Sequence, residues 1–217
     1  MIFKQSKLKE KKVIDVQISR EPNREKNLEF DIRRTMILHL YMKEWSMPEY
    51  RVIITKPEGG IYIEIYYFPA RNEEMPARFA TVGLSNAIRK TGETIAAEWM
   101  LALKHDLGQE SVDRIFTYFC DVIAHHIENI TSSEVPRVMT ESTLAPENWT
   151  AKALLLDELR GESEELEEIK IGEEVINVLW VVPITPKEAC IILEEGIEVF
   201  DTFIEQQQHS IIDPTRS

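Results

Sequence analysis

Val178-Leu-Trp-Val-Val-Pro-Ile-Thr-Pro-Lys-Glu188 decides how this chain folds, because it sets a strand and a helix start back to back. Val178–Val182 is an unbroken apolar run, which predicts a buried strand stopping at Pro183. Thr185 is a capping residue type whose hydroxyl can take a free amide. Pro186 suits the first helical position, and Glu188 stands three after the cap, completing a capping box. Ala189, Ile192, Leu193, Gly196, Ile197, Phe200, Phe203 and Ile204 then recur at three and four. They predict one helix to about Gln207, docked on a core by a continuous apolar face. Trp180, Val182, Ile192, Phe200 and Phe203 are the expected core residues of this unit.

Upstream of the strand, Asp157–Glu174 carries nine acidic residues against two basic ones and is interrupted by Gly161 and Gly172. Runs of like charge read as solvated loops. Ala151–Leu156 before it is a short apolar run, a strand buried on both faces, and a polar loop with Pro136 and Pro146 precedes that. Ser111–Ile130 is the clearest helix, since Val112, Ile115, Phe116, Phe119, Val122, Ile123, His126, Ile127 and Ile130 hold the period throughout. Arg51–Thr55 and Ile61–Phe68 flank Pro57-Glu-Gly-Gly60, the signature of a hairpin, and Arg78–Val82 is a further short strand. From Leu28 a helical stripe of Ile37, Leu38, Tyr41, Met42 and Trp45 ends before Pro48.

Glu93–Leu103 fits two patterns: Ile95, Ala97, Trp99, Leu101 and Leu103 alternate as in a strand, while Ile95, Ala96, Trp99, Met100 and Leu103 fit a helix. Residues 1–26 form a polar lead-in with one short strand expected near Val13–Ile18, residues 27–207 the domain, and 208–217 a tail. Strands and helices mix without βαβ regularity, so the expected class is α+β.

A chain of 217 residues with 43% hydrophobic and 29% charged residues buries a sizeable core. The net charge of −13 would repel nucleic acid and anionic membranes, so neither is an expected partner. It suits a basic protein partner, and equally mere solubility. Cys120 and Cys190 lie far apart, each within an apolar helical pattern, and are expected to be buried free thiols suited to a reducing cytosol. Lysines near the N-terminus are followed by no apolar run, so no signal peptide is expected and the chain reads as cytoplasmic.

Four segments, in order, resemble the suppressor of fused domain family. They are Arg78-Phe-Ala-Thr-Val-Gly-Leu-Ser85, Glu98-Trp-Met-Leu-Ala-Leu103, Trp149-Thr-Ala-Lys-Ala-Leu-Leu-Leu156, and the C-terminal unit with its Val-Pro-Ile-Thr-x-x-Glu wording and mid-helix Gly. The resemblance spans roughly residues 28–207 and makes Glu98–Leu103 a strand. It implies an α+β domain on a mixed sheet with packed helices, and a role in binding proteins rather than in catalysis. In the animal protein this domain, with a second one, clasps a peptide by strand addition. The bacterial single-domain relatives have been proposed as immunity proteins in polymorphic toxin systems. At 217 residues the second domain is not expected here, and no peptide-contacting residue carries over.

Candidate chemistry is sparse. His105-Asp106 and His125-His126 are the places to look for a catalytic base. His126 lies on an apolar helix face, where a core histidine is expected, and His125 lies off it. Asp121 and His125 are spaced so that both reach one metal, but two ligands make a weak site. No Gly-x-Ser-x-Gly elbow surrounds Ser85 and no glycine loop cradles phosphate. No metal or cofactor is expected. Trp180 reads as core, and Trp149, in a polar loop, as either core or interface anchor. Glu162, Glu164, Glu165, Glu167 and Glu168, with Leu166 and Ile169 among them, read as a mobile solvated loop or as a docking surface for a basic partner such as a nuclease toxin. The function expected is therefore protein binding, as an immunity protein. The other readings are a regulatory scaffold using strand addition and, last, a hydrolase.

Overall fold

A computed structural model describes residues 24–54, 62–88, 92–104, 107–126 and 135–216. The elements are α1 (Arg24–Trp45), β1 (Tyr50–Ile54), β2 (Ile63–Phe68), β3 (Ala77–Val82), β4 (Ala97–Leu103), α2 (Gln109–His126), β5 (Arg137–Met139) and β6 (Ala153–Glu158). They continue with α3 (Glu164–Glu167), β7 (Glu168–Ile171), β8 (Glu174–Ile184), α4 (Pro186–Glu195) and α5 (Ile197–Glu205). The strands form one mixed sheet in the order β1-β2-β3-β4-β8-β6-β5, with β7 also on β8. The class is α+β, as expected. Only β4 and β8 run parallel among these pairs, Met100 lying opposite Trp180.

Both faces of the sheet are covered. On one, α2 packs Val112, Ile115, Phe116, Phe119, Val122 and Ile123 over Phe79, Trp99, Leu101 and Val181. On the other, Ile37, Tyr41 and Trp45 of α1, with Phe200 of α5, cover Phe68, Met100, Trp180 and Val182. Every residue of β2, β3 and β4 is buried. That explains why periodicity fits strand and helix equally in Glu93–Leu103: a strand with helices on both sides has no polar face.

The capping box forms as read, the Thr185 amide meeting Glu188 Oε2 at 2.7 Å and the Glu188 amide meeting Thr185 Oγ1 at 3.2 Å. Other details depart from expectation. β8 runs through Pro183 to Ile184. Its ladder with β4 ends at Trp180, and Pro183, opposite Leu154 of β6, turns its carbonyl to Arg216, so its missing amide costs no ladder bond. The C-terminal helix is two, broken at Gly196, whose φ of 96° is disfavoured for residues with a side chain. Phe200, Trp180 and Val182 are buried as expected, whereas Ile192 and Phe203 are half-buried and Leu193 is 71% exposed. Cys190 shares the outward face of α4 with Leu193 and Glu194 and is exposed, not buried. Cys120 is mostly enclosed against the core, and burial pushes its thiol up to about 11.

The segment expected as a tail is bound to the domain. Arg216 is 5% exposed and reaches Glu188 through two bonds of 2.9 and 2.8 Å, the Pro183 carbonyl at 2.7 Å and the Ile211 carbonyl at 2.7 Å. The Thr150 and Ala151 amides both donate to the Pro214 carbonyl. The expected strand near Val13–Ile18, the Pro57–Gly60 turn, His105, Asp106 and the helix beyond His126 lie outside the described residues.

Candidate protein-binding surface

The acidic stretch is built rather than loose. Leu166 and Ile169 are buried at 0% and 1% exposure, so a single helical turn followed by β7 lies flat on the domain. β7 pairs with β8 from Glu168 opposite Asn177 to Ile171 opposite Glu174. With those two residues facing inward, Glu164, Glu165, Glu167 and Glu168 all point to solvent. Lys43 of α1 reaches Glu165 at 2.6 Å, and Lys170 approaches Glu168 at 3.7 Å. Both pairs are exposed and contribute little to stability.

Glu162 does something different from its neighbours. Its Oε1 accepts Arg78 Nε at 2.6 Å and its Oε2 accepts the Trp45 indole N–H at 2.8 Å, with the two charged side chains only 8% and 10% exposed. Arg78 also lies 5.3 Å over the Trp45 ring and donates to the Pro76 carbonyl. Glu162 therefore roots the acidic turn to α1 and β3 and offers no free charge to a partner. Trp149 likewise presents no surface: it is 6% exposed and meets Tyr118 edge-to-face at 5.1 Å.

Two of the quoted segments meet inside the core. The Glu98 carboxylate, fully buried, accepts from Thr81 Oγ1 (2.6 Å), the Gly83, Leu84 and Ser85 amides (2.9, 3.1 and 3.1 Å) and Ser85 Oγ (2.7 Å). Burial pushes this carboxyl up, and the hydrogen bonds from Thr81, Ser85 and Gly83 oppose it. Thr81 Oγ1 also accepts the Trp99 amide, so its one proton must go to Glu98. Gly83 suits its place by shape: φ is 97°, and a Cβ there would stand 2.9 Å from the Tyr62 carbonyl. The cluster is closed to solvent and fixes the β3–β4 register.

Among the described residues the candidate catalytic groups do not converge. Asp121 sits between two partners: Ser142 Oγ donates to its Oδ2, and exposed His125 approaches its Oδ1 at 3.1 Å. A nucleophilic serine needs the imidazole between hydroxyl and carboxylate, and here the carboxylate takes the middle place. Ser142 escaped the sequence reading because nothing in its polar loop marks it. Ser85 is spent on Glu98. Among the described residues no three His, Cys, Asp or Glu side chains gather as a metal would need, and no helix is long and apolar enough to cross a membrane.

Residues 59–217 match the family model described as suppressor of fused protein (SUFU). The chain belongs to the suppressor of fused family. No curated protein matches it by sequence. Among solved structures it is similar to a suppressor of fused homolog from Neisseria gonorrhoeae, with TM-score 0.63, 12% identity, and 86% of this chain and 96% of that one covered. It is also similar to a chain of the Sufu–Fu complex (TM-score 0.55, 12% identity, 81% and 84% covered) and to Drosophila Suppressor of Fused (TM-score 0.55, 11% identity, 81% covered). Of the Drosophila protein it spans 47%. At these identities the likeness is one of fold. For the suppressor of fused domain seen here, the fold places an acidic face on α3–β7 and, among the described residues, an unpaired sheet edge at β1.

Proposed function

We propose that this chain is a protein-binding domain acting as an immunity protein, which captures a basic toxin domain on its α3–β7 face. The observation that carries the reading is the row Glu164, Glu165, Glu167 and Glu168, all exposed and held in position by buried Leu166 and Ile169 and by the Glu162–Arg78 ion pair. A fixed row of carboxylates meets a cationic partner without first being ordered, which lowers the entropic cost of binding. A toxin that acts on nucleic acid meets its phosphates with basic side chains, and a row of carboxylates matches such a face. Bacterial single-domain relatives of suppressor of fused have been proposed as immunity proteins, and a protein of this fold occurs in a Sufu–Fu complex.

The test is co-expression with the toxin domain encoded beside its gene, reading growth, followed by binding kinetics at several salt concentrations. Exposed charges are screened beyond about 8 Å at physiological ionic strength. Glu164, Glu165, Glu167 and Glu168 changed together to Lys should slow association about tenfold or more and abolish rescue of growth, with dissociation little changed. Full rescue by that variant refutes the reading.

A second reading has its own observation. β1 ends the sheet, and its exposed Tyr50 and Ile53 flank an edge that no described strand pairs. A scaffold that binds an extended peptide by strand addition would use it. Proline at Ile53, whose amide faces away from β2, would then abolish binding, while the charge reversal would not.

A further inference from the structure

We propose that β1 receives an extended segment of a protein partner bearing an aspartate or glutamate, whose carboxylate docks on Arg51 beside Arg34. This rests on the strand-addition reading of the β1 edge and names the side chain that the edge selects.

The site is built around Glu64 of β2. That residue is 1% exposed, and a carboxylate so enclosed is costly to bury without a cation. Arg34 of α1 supplies one: its Nε donates to Oε2 and its Nη2 lies 3.3 Å from Oε1. The Tyr66 hydroxyl donates to Oε2 at 2.8 Å and accepts Arg34 Nη2 at 2.9 Å, which fixes the guanidinium in place. Arg51 of β1 then adds a second cation, its Nη1 donating to Glu64 Oε1 at 3.0 Å. One buried carboxylate thus faces two guanidiniums. Arg34 is mostly enclosed, whereas the Arg51 side chain is 50% exposed and has donors beyond the one given to Glu64. Asp31, exposed on α1 nearby, pairs with neither among the described residues. Arg51 is therefore a cation anchored at one end and open at the other, in a chain at −13. A guanidinium held in this way is prepared for a second carboxylate, since little side-chain freedom is left to lose.

The backbone places that carboxylate. Tyr50 stands opposite Tyr67 and Val52 opposite Ile65, with the Glu49 amide also on the Tyr67 carbonyl. Tyr50, Val52 and Ile54 thus turn their amides to β2, and Arg51 and Ile53 turn theirs outward. An added strand bonds to Arg51 and Ile53, and the residues facing them stand about 5.5 Å away between Cα atoms. Arg51 lies opposite Tyr66 and Ile53 opposite Glu64, so both side chains share the face of the cluster. Ile53 is 44% exposed and offers an apolar neighbour two residues from the cation. The segment that fits has an acidic residue facing Arg51 and an aliphatic one facing Ile53, two positions apart. The charge-assisted pair supplies the selectivity, and the ladder supplies affinity that any sequence can share.

The test selects random peptides displayed on phage against the whole chain. Selected peptides should share an acidic residue two positions from an aliphatic one, and changing that residue to its amide should weaken binding about tenfold. Arg51→Met leaves Glu64 its bonds from Arg34 and Tyr66, so the cluster stands. This variant should hold the acid and amide peptides equally, at the level of the amide peptide on the unaltered chain. Ile53→Pro removes an outward amide and should lose both peptides. Selected peptides with no acidic preference, or a preference that survives Arg51→Met, overturn the carboxylate site and leave strand addition standing. Peptides held unchanged by Ile53→Pro refute strand addition at β1 and this inference with it, as does a selection that enriches no peptide.

Discussion

Replacing Glu162 with Ala tests whether the acidic face is rooted or merely attached. The carboxylate holds an ion-paired bond from Arg78 at 2.6 Å and a second bond, from the neutral Trp45 indole to the charged acceptor, at 2.8 Å. Hydrogen bonds to a charged group contribute about 1.5–3 kcal/mol each. Removing one partner of a buried ion pair costs about 3–5 kcal/mol, because the other charge is left without compensation. Arg78 keeps its Pro76 carbonyl and its place over Trp45, which offset part of that loss. Glu162→Ala should therefore lower unfolding stability by about 3 kcal/mol in urea melts, the lower end of that range. The pair Arg78→Met with Glu162→Leu should recover most of it, since an apolar pair leaves no buried charge behind. A loss under about 1 kcal/mol in the single variant would refute the reasoning and return the segment to a solvated loop.

Phe200→Ala, which empties a site 1% exposed between α5 and the sheet, should cost about 3–5 kcal/mol in denaturant melts. Glu98→Gln should cost at least about 2 kcal/mol by the same measurement, since its amide group would face the hydroxyl and amide donors that now meet a carboxylate. Burial, followed by the neighbouring His125, holds the His126 imidazole below its usual 6.5, with a hydrogen bond to the Thr140 backbone opposing. The unfolded chain then takes up the proton first as pH falls. His126 should thus let stability stand in full above about 6.5 and drop below it, and His126→Phe should flatten that slope in melts from pH 7.5 to 5.

The parts of the fold that were legible from sequence are those whose causes lie close together in the chain. Thr185, Pro186 and Glu188 sit within four residues, and the capping box they predict is the one that forms. Phe116 to Ile123 kept the helical period because α2 has one wet side and one dry one. β4 had no such asymmetry, and there resemblance was decisive where periodicity was silent. Composition left the acidic stretch open between a solvated loop and a docking surface: it counted glutamates, whereas Leu166 and Ile169 set the conformation and Arg78, far away in sequence, claimed Glu162. The same distance hid Arg216 behind Glu188 and left residues 208–216 looking like a tail. β5 is three residues in a polar loop, too short to leave a pattern. Gly196 did carry a signal, since a glycine inside a helical period weakens it, and the break falls there.

The position of β8 has a consequence for synthesis on the ribosome. The N-terminal sheet, β1 to β4, can pair as it emerges, but β4 then ends in an edge composed of Ala97 to Leu103, apolar at every position but one. Its partner, starting at Glu174, is made more than seventy residues later. At about 5–20 residues per second the nascent chain carries that open, hydrophobic edge for several seconds. Unpaired edges of this kind template aggregation. A growing chain of this design depends on whatever shields β4 during that interval, and chains halted before β8 would be the ones that a cell must clear.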